Sequence, residues 1–323
     1  MSESKILLQV EHLKKYFNTA GGMLHAVDDV SFSIGEGKTL GVVGESGCGK
    51  STLGRTVLGL LPATDGTVTF EGKDVTKLKK KERKDMQKDM QIIFQDPFSS
   101  LNPRMSVAQL IADPLKAYKM YPDKKELMER VYDLMEFVGL DKRFADSYPH
   151  ELDGGRRQRI GVARALSLNP KFIVCDEPVS ALDVSIQAQI LNLLQDLQED
   201  RGLTYMFITH DLSVVKHISD DIMVMYTGCV VEKSPAEDLF DHPLHPYTKG
   251  LLSAIPIPSI HISKERILLQ GEISSPVDPQ PSCRFAGRCP YAQEDCRCMQ
   301  PIQEEILPDH FVACHHVREI NEL

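Results

Sequence analysis

The segment Gly44-Glu-Ser-Gly-Cys-Gly-Lys-Ser51 matches the pattern G-x-x-x-x-G-K-[ST]. It follows an apolar run, Thr39-Leu-Gly-Val-Val43, that has the length of a buried strand, and it precedes a stretch typical of a helix. Gly44, Gly47 and Gly49 allow backbone N–H groups to turn inward around phosphate oxygens, and the start of the helix adds partial positive charge. The segment therefore predicts a phosphate-binding loop between a strand and a helix.

The same loop supplies residues expected to bind a nucleoside triphosphate and a magnesium ion. Lys50 is expected to neutralise the β and γ phosphates and the Ser51 hydroxyl to hold Mg²⁺, with Thr52 one residue further into the helix. Ser46 and Cys48 complete the loop, where Cys48 serves as a small packing side chain. The alternative, a glycine-rich turn with an incidental lysine, is disfavoured by the strand before the loop and the helix after it.

A second apolar run, Phe172-Ile-Val-Cys175, ends in Asp176 and Glu177. A buried strand here delivers Asp176 to the carboxyl edge of a parallel sheet, where its carboxylate is expected to engage Mg²⁺. Glu177 follows immediately, which suits it to polarise an attacking water as a general base. An apolar run that ends in Asp-Glu is a weak signal alone, but beside the phosphate-binding loop it indicates an ATPase.

The segment Tyr148-Pro-His-Glu-Leu-Asp-Gly-Gly-Arg-Arg-Gln-Arg-Ile-Gly-Val-Ala-Arg-Ala165 resembles the signature of ATP-binding cassette proteins. Four further sites resemble other motifs of this family, in the family's order: the adenine-stacking aromatic Tyr16, the Q-loop glutamine Gln95, the D-loop Ser180-Ala-Leu-Asp183 and the switch histidine His210. Together they span most of residues 1–235.

The resemblance implies an α/β fold, the P-loop NTPase cassette. Its parts are a RecA-like parallel-sheet core, an N-terminal antiparallel β portion, a helical insertion and a C-terminal extension rich in proline and cysteine. We expect the nucleotide-binding domain at residues 1–235, its helical subdomain at about 102–168, and the extension at 236–323. Apolar residues spaced by three and four between Asp123 and Val138 independently indicate a helix within the insertion.

The resemblance also implies catalytic roles. Glu177 is expected to act as the general base, His210 to reach the γ-phosphate, and Gln95 to touch both Mg²⁺ and the attacking water. Cassettes of this family work in pairs, so that each chain completes the nucleotide site of the other. The residues expected to act in trans are Asp153, Gly154, Gly155 and Asp183.

The signature departs from the family's usual Leu-Ser-Gly-Gly-Gln, because this chain has Leu152-Asp-Gly-Gly-Arg156. Asp153 caps a helix as well as serine does, but it would bring a carboxylate towards a γ-phosphate. Two interpretations stay open. Either the site completed by Asp153 is altered, which makes the paired sites asymmetric, or Asp153 and Arg156 pair with each other and act as an ordinary signature.

The extension indicates the subfamily. His242-Pro-Leu-His-Pro-Tyr-Thr-Lys-Gly-Leu-Leu252, followed by a proline-rich stretch and a group of cysteines, resembles the extension of oligopeptide and dipeptide importer ATPases, and the chain resembles their F-type members. Nickel and glutathione importers share this extension. The resemblance therefore defines the subfamily better than it defines the cargo.

Four cysteines of the extension match the subfamily's spacing: Cys283, Cys289, Cys296 and Cys314. By resemblance they bind a 4Fe-4S cluster, although four thiolates suit tetrahedral zinc equally well. Cys298 is an alternative to Cys296, and nearby imidazoles are alternative ligands: His310, His315 and His316. The remaining interpretation is a set of free packing cysteines.

Composition excludes several classes of protein. The chain has 323 residues with 37 basic and 46 acidic side chains, a net charge of -9, which disfavours binding of nucleic acid through a broad basic surface. No apolar stretch reaches the roughly 18 residues of a membrane span, and the segment Met1–His12 lacks the features of a signal peptide. We therefore expect a peripheral protein on the cytoplasmic face of the membrane.

The preferred interpretation is an ATPase that powers import of oligopeptides or dipeptides. The expected partners are a second, similar ATPase in a heterodimer, two membrane-spanning permease subunits and, indirectly, a solute-binding protein. One alternative is a degenerate regulatory cassette that binds ATP without hydrolysing it. Another is a soluble cassette protein that remodels nucleic acid or ribosomes, but such proteins typically carry two cassettes or a long coiled coil.

Overall fold

A computed structural model describes residues 5–255, 267–272 and 274–323. Part of the proline-rich stretch after Leu252 lies outside the described residues. The chain forms two compact units. The first unit combines Met1–Lys77 with Phe207–Leu323, and the second unit is the continuous segment Leu78–Met206.

The described residues form twelve strands and twelve α-helices. The strands are β1 (Ile6–Thr19), β2 (Gly22–Gly35), β3 (Thr39–Val43), β4 (Asp65–Phe70), β5 (Lys73–Asp74), β6 (Met90–Ile93), β7 (Phe172–Asp176), β8 (Thr204–Ile208), β9 (Asp221–Tyr226), β10 (Cys229–Pro235), β11 (Glu304–Leu307) and β12 (His310–Val312). The helices are α1 (Lys50–Val57), α2 (Lys80–Met86), α3 (Pro97–Ser100), α4 (Val107–Ala117), α5 (Lys124–Phe137), α6 (Gly154–Leu166), α7 (Val184–Arg201), α8 (Leu212–Ile218), α9 (Ala236–Asp241), α10 (Pro246–Ser253), α11 (Glu294–Cys298) and α12 (Val317–Asn321).

The first unit begins with an antiparallel sheet in the order β2-β1-β4-β5. Along β1, Leu8 and Val10 are buried and Gln9 and Glu11 are exposed, because successive side chains of a strand point to opposite faces, and Leu13 is buried beyond a register shift that follows Val10. In the pairing of β1 with β2, Tyr16 lies opposite His25. The predicted N-terminal antiparallel portion is confirmed.

A second sheet of the first unit places strands in the order β11-β12-β10-β9-β3. β3 runs parallel to β9, and its five residues are all buried, as expected for a strand covered on both faces. The phosphate-binding loop begins directly after β3, so that it starts at the carboxyl end of a buried parallel strand. This is the edge at which ligands of such sheets bind.

In the second unit, β6 and β7 are parallel, with Met90 paired with Phe172. The predicted helical insertion contains α4, α5 and α6. α5 occupies the segment in which the apolar spacing predicted a helix, and the Asp123 side chain accepts a hydrogen bond from the Lys125 N–H at its start. Leu127, Val131 and Leu134 are its buried face.

The extension has short helices of five to eight residues, because prolines interrupt the chain repeatedly. Its aromatic side chains pack on the second sheet of the first unit: Tyr226 of β9 contacts Tyr247 and Phe285 edge-on, with ring centroids 4.8 and 5.3 Å apart. The extension thus contributes to the core of the first unit. In the described part of the chain, no helix combines the length and apolar character needed to cross a bilayer.

Candidate functional site

The backbone of the phosphate-binding loop requires glycine at two close approaches. Gly44 has φ 151°, and a Cβ there would lie 2.2 Å from the Met225 carbonyl oxygen. Gly49 has φ 106°, and a Cβ there would lie 2.0 Å from the Ala26 carbonyl oxygen. Both conformations favour residues without a side chain. The glycines of the motif therefore fix the path of the loop.

Lys50 is the first residue of α1, and only 4% of its surface is exposed. Its ammonium Nζ donates to the carbonyl oxygens of Gly44 and Glu45, at 2.8 and 3.0 Å. A cation is thus held at the mouth of the loop, beside a helix N-terminus that no side chain caps. Ser51 and Thr52 lie in the first turn of α1, half-buried. This arrangement fits binding of a phosphate anion.

Tyr16 lies in β1 and stacks on His25 of β2, with ring centroids 3.8 Å apart. Its hydroxyl donates to Asp28, which is 9% exposed and also accepts a hydrogen bond from His25 Nδ1 at 3.0 Å. His25 covers one face of the Tyr16 ring. A planar base would therefore have the opposite face of Tyr16 for stacking.

In the second unit, β7 ends at Asp176, which is 1% exposed, and Glu177 follows with φ 48°. A left-handed backbone is strained for a residue with a side chain, and such strain concentrates at functional positions. Gln95 Nε2 donates to Glu177 Oε2 at 2.8 Å. The structure thus brings two of the three predicted catalytic residues into direct contact.

Asp153 begins α6 as its N-cap, accepting from the Arg156 N–H at 2.8 Å, as predicted. Its other carboxylate oxygen forms an ion pair with Arg156 Nη1 at 2.5 Å, and both side chains are about half exposed. Gly155 is buried, and a Cβ there would lie 2.8 Å from Ile186. Asp183 is exposed at the start of α7.

His210 belongs to the first unit and is exposed just after β8. The preceding residue, Thr209, donates its N–H to the Val42 carbonyl oxygen of β3 at 3.1 Å, and the following residue, Asp211, caps α8. Both neighbours of the histidine are therefore fixed by backbone hydrogen bonds. The predicted site residues divide between units: the phosphate-binding loop, Tyr16 and His210 belong to the first, and Gln95, Asp176, Glu177, Asp153 and Asp183 to the second.

The four predicted cysteine ligands converge within the first unit. Burial raises the pKa of Cys283 and of Cys314 to about 11, and Cys296 lies close enough to both thiols to contribute to these shifts. Burial also raises the pKa of Cys289. Backbone N–H groups two residues further along the chain donate to three of these sulfurs, from Phe285, Tyr291 and His316. Such donors stabilise thiolates, so the donor set fits a thiolate-bound metal group.

The alternative ligands are held elsewhere. Cys298 is exposed, whereas Cys296 is buried. His310 Nε2 is hydrogen-bonded to the buried Glu232 at 2.7 Å, and His315 Nε2 is hydrogen-bonded to the Met299 carbonyl oxygen at 3.0 Å. His316 is closer: its ring, Cys296 and Asp295 place ligand atoms within 4.8 Å of one another.

Sequence reasoning missed the residues that tie the extension to the predicted nucleotide site, namely Asp28, Glu45, Tyr247, Arg284 and Arg288. One signal was available. Arg284 and Arg288 lie between two predicted ligands, and basic residues are in the minority in this chain.

Comparison with known proteins finds two family matches in this chain. The family described as ABC transporter matches residues 27–180, and the oligopeptide/dipeptide transporter C-terminal region matches residues 231–296. The oligopeptide transport ATP-binding protein OppF of Bacillus subtilis is 52% identical, over 95% of this chain and 96% of its own. OppF of Escherichia coli is 49% identical, over 96% of both chains.

A solved structure extends the comparison to three dimensions. The ATP-binding cassette MJ0796, in a dimeric post-hydrolysis state bound to ADP and Pi, has a TM-score of 0.66 and 28% identity, covering 71% of this chain and 99% of that chain. The shared fold and the nearly full-length likeness to two relatives lead to one assignment. This chain belongs to the ATP-binding cassette ATPases, in the subfamily of oligopeptide and dipeptide transporters.

Proposed function

We propose that this ATPase powers the import of oligopeptides or dipeptides through separate membrane-spanning subunits. The nearly full-length likeness to oligopeptide transport ATP-binding proteins, which includes the extension, supports this cargo class over a general cassette function. The alternatives are the import of nickel or glutathione and a regulatory role without hydrolysis.

The observation that carries the hydrolytic role is the contact between Gln95 and Glu177. The amide N–H₂ of Gln95 donates to one carboxylate oxygen of Glu177, which orients the carboxylate that is proposed to accept a proton from water. Glu177 thus acts as the general base, and the exposed imidazole of His210 stabilises charge that develops on the γ-phosphate. A regulatory cassette has no need of this constellation.

ATP binding follows from the first unit. The loop glycines expose N–H groups to phosphate oxygens, Lys50 neutralises the β and γ phosphates, and Tyr16 stacks on adenine. Bound Mg²⁺ would supply charge neutralisation at the β and γ phosphates. The Ser51 hydroxyl, the Asp176 carboxylate and the Gln95 carbonyl would hold it, because these are the oxygen ligands that magnesium prefers.

We place the chain on the cytoplasmic face of the membrane, bound to two permease subunits and paired with a similar ATPase, with a solute-binding protein delivering the cargo. The outward-facing signature supports the pairing: Asp153, Arg156 and Asp183 are exposed, available to a second chain. In this proposal residues 1–235 are the nucleotide-binding domain, with its helical subdomain at about 102–168, and residues 236–323 dock on it as the extension.

Peptide uptake tests the function. Vesicles that contain this chain, its ATPase partner and the two permeases, with the solute-binding protein supplied outside, should accumulate a labelled dipeptide or oligopeptide when ATP is enclosed inside, on the side of the ATPase. A complex with Glu177→Gln should bind ATP without accumulating peptide. Uptake of nickel or glutathione in place of peptide would reject the cargo class.

Cys283, Cys289, Cys296 and Cys314 are the ligands of a structural 4Fe-4S cluster in this proposal. Tetrahedral zinc places its sulfur ligands about 3.8 Å apart, as bond lengths near 2.3 Å require. In the described residues, the group with three or more ligand atoms within 4.8 Å of one another contains just one of these cysteines, Cys296. No three of the four sulfurs therefore lie within 4.8 Å of one another in the described residues, which supports a group larger than a single zinc ion.

Iron and sulfide analysis of the protein, purified without oxygen, tests this assignment. About four irons per chain and a brown colour that Cys289→Ser removes are the expected results. The exposed Cys298 provides the control, since Cys298→Ser should retain the colour. Zinc in place of iron would reject the cluster.

A further inference from the structure

The loop Cys283–Cys289, called here the arginine loop, is anchored by Phe285. The Phe285 ring is 1% exposed between Tyr226 and Tyr247, and its carbonyl oxygen accepts from the N–H groups of Arg288 and Cys289, at 2.9 and 3.0 Å. The loop is thus compact. Arg284 and Arg288 flank the anchor and extend towards different parts of the first unit.

Arg288 reaches the phosphate-binding loop. Its guanidinium forms two hydrogen bonds to the carboxylate of Glu45, at 2.7 and 3.0 Å, and its side chain is only 9% exposed. Such paired hydrogen bonds combine geometric specificity with charge neutralisation. The Glu45 N–H also donates to the Tyr247 hydroxyl at 3.0 Å. The second residue of the phosphate-binding loop is therefore held by the extension.

This ion pair solves an electrostatic problem of the loop itself. Glu45 is an acid directly beside Gly44, in a loop whose ligand is a polyanion. An unpaired carboxylate there would repel the triphosphate, and repulsion increases where water is excluded. Arg288 neutralises Glu45, so that Lys50 acts on the phosphates without opposition.

Arg284 reaches the aromatic part of the site. Its Nη2 donates to Asp28 Oδ2 at 2.5 Å, and the two side chains are 8% and 11% exposed. Nε and Nη1 of Arg284 have no hydrogen-bond partner within the described chain, so Asp28 is the group that holds this buried cation. Asp28 in turn accepts hydrogen bonds from Tyr16 and His25. One carboxylate thus links Arg284 to the stacked pair of rings.

Backbone contacts support the same link. The His25 N–H donates to the Pro276 carbonyl oxygen at 2.9 Å, and Met23 exchanges two hydrogen bonds with Asp278, at 2.9 and 3.0 Å. The start of β2 is therefore paired with the segment that leads into the arginine loop. Tyr16, opposite His25 in the sheet, is positioned by residues that lie more than 250 positions later in the chain.

We propose that Arg284 and Arg288 are positioning residues for the nucleotide, Arg284 for the adenine that stacks on Tyr16 and Arg288 for the triphosphate bound by the loop around Lys50. The inference rests on the proposed roles of Tyr16 and Lys50. Through these two arginines, the cysteine-containing part of the extension controls the affinity for ATP at both ends of the nucleotide.

Two ligands distinguish an effect on adenine binding from an effect on triphosphate binding. ATP uses both arginines, whereas inorganic tripolyphosphate has no base. With the purified full-length chain and magnesium, Arg284→Gln should weaken ATP binding about tenfold while leaving tripolyphosphate binding unchanged. Arg288→Gln should weaken the binding of both ligands about tenfold. Arg297→Gln is the matched control, since Arg297 is an exposed arginine between two cysteines, and it should bind both ligands like the parent.

Charge removal at Glu45 provides an independent readout. Glu45→Gln deletes the carboxylate that Arg288 neutralises, so it should tighten tripolyphosphate binding, and the Glu45→Gln, Arg288→Gln pair should recover the affinity lost in Arg288→Gln. A purely structural role for Arg288 predicts no such recovery. Glu45 is the more exposed partner, so its variant keeps the test usable even where Arg288→Gln fails to fold.

The outcomes are distinct. Equal losses for both ligands in Arg284→Gln, or weaker tripolyphosphate binding in Glu45→Gln, would overturn the inference. If both arginine variants bound both ligands as tightly as the parent does, the inference would also be overturned, but the proposed function would remain intact. A parent that binds neither ligand would instead refute the proposed roles of Tyr16 and Lys50.

Discussion

Lys50 and Asp28 of the first unit and the signature of the second unit are held in opposite ways. In the first unit, Lys50 and Asp28 are 4% and 9% exposed, and each makes several hydrogen bonds within its own unit. In the second unit, the side chains of Arg156 and Asp153 are 44% and 56% exposed, and Gln95 is exposed as well. Lys50 and Asp28 are thus fixed inside the first unit, whereas the signature of the second unit faces outward.

This difference indicates that the two sets of residues have different roles. Buried, hydrogen-bonded groups are preorganised, and they bind a ligand without first losing side-chain freedom. Exposed groups gain that order when a partner covers them. We therefore expect changes in the first unit to alter nucleotide affinity and changes in the second unit to alter turnover in the assembled transporter.

The largest expected effect is on turnover. Glu177→Gln removes the general base but keeps the size of the side chain, so ATP hydrolysis by the assembled complex should fall about 10² to 10⁴-fold with ATP affinity retained. Phosphate release and nucleotide binding measure the two quantities. Glu199→Gln, at an exposed acid of α7, should match the parent. Parental turnover in Glu177→Gln would contradict the assignment of the base.

The next effect is on affinity. Lys50→Gln removes the buried ammonium of the phosphate-binding loop, and ATP affinity should fall about 100-fold, the value of a charged hydrogen bond in a dry site. Equilibrium binding of labelled ATP measures this loss. Lys73→Gln, at an exposed lysine of β5, is the control. A loss confined to turnover would break the contrast between the two units.

Low pH should lower the stability of the first unit, because His245 is neutral in the folded state. Burial lowers the pKa of His245 from 6.5 to about 4, and its Nδ1 accepts the Tyr247 N–H at 3.1 Å, which requires a neutral ring. The unfolded chain binds more protons between these two values, so stability falls as pH falls through this range. At pH 5 the loss should be about 2 kcal/mol.

His245→Asn isolates this loss, because asparagine also caps α10 but does not titrate. Denaturant unfolding at pH 7 and pH 5 should show a smaller difference for His245→Asn than for the parent. His150→Asn, at an exposed histidine, should keep the parental difference. Identical pH dependence in the parent and His245→Asn would contradict the prediction.

The smallest effect concerns the signature. Because Arg156 already pairs with Asp153, Asp153→Ser should change the turnover of the complex by less than about fivefold, the range of an exposed ion pair. Arg156→Gln should cost more than Asp153→Ser, since it leaves the carboxylate unpaired. A much larger change in turnover or nucleotide occupancy for Asp153→Ser would favour asymmetric sites instead.

Local sequence patterns predicted local structure well. The run Thr39–Val43 is a strand with the predicted bounds, the apolar spacing predicted α5, and Asp153 caps its helix. Each of these depends on neighbours within a few residues, where periodicity and capping operate.

Contacts between residues that lie far apart in the chain could not be predicted from the sequence. Glu45 and Arg288 are separated by 243 positions, and nothing in the local pattern of either indicates the other. The left-handed backbone of Glu177 was equally hidden, since glycine or asparagine would ordinarily mark such a conformation. Pairings of this kind depend on how distant segments pack.

The first unit combines an N-terminal and a C-terminal segment of the chain, and this has a consequence for synthesis on the ribosome. Leu78–Met206 is one continuous segment, so all of its residues emerge in a single stretch of synthesis. Asp28, which holds Tyr16, and Glu45 must wait for Arg284 and Arg288, which lie 256 and 243 positions later in the chain. The full affinity for nucleotide should therefore arise only after the arginine loop of the extension has been synthesised.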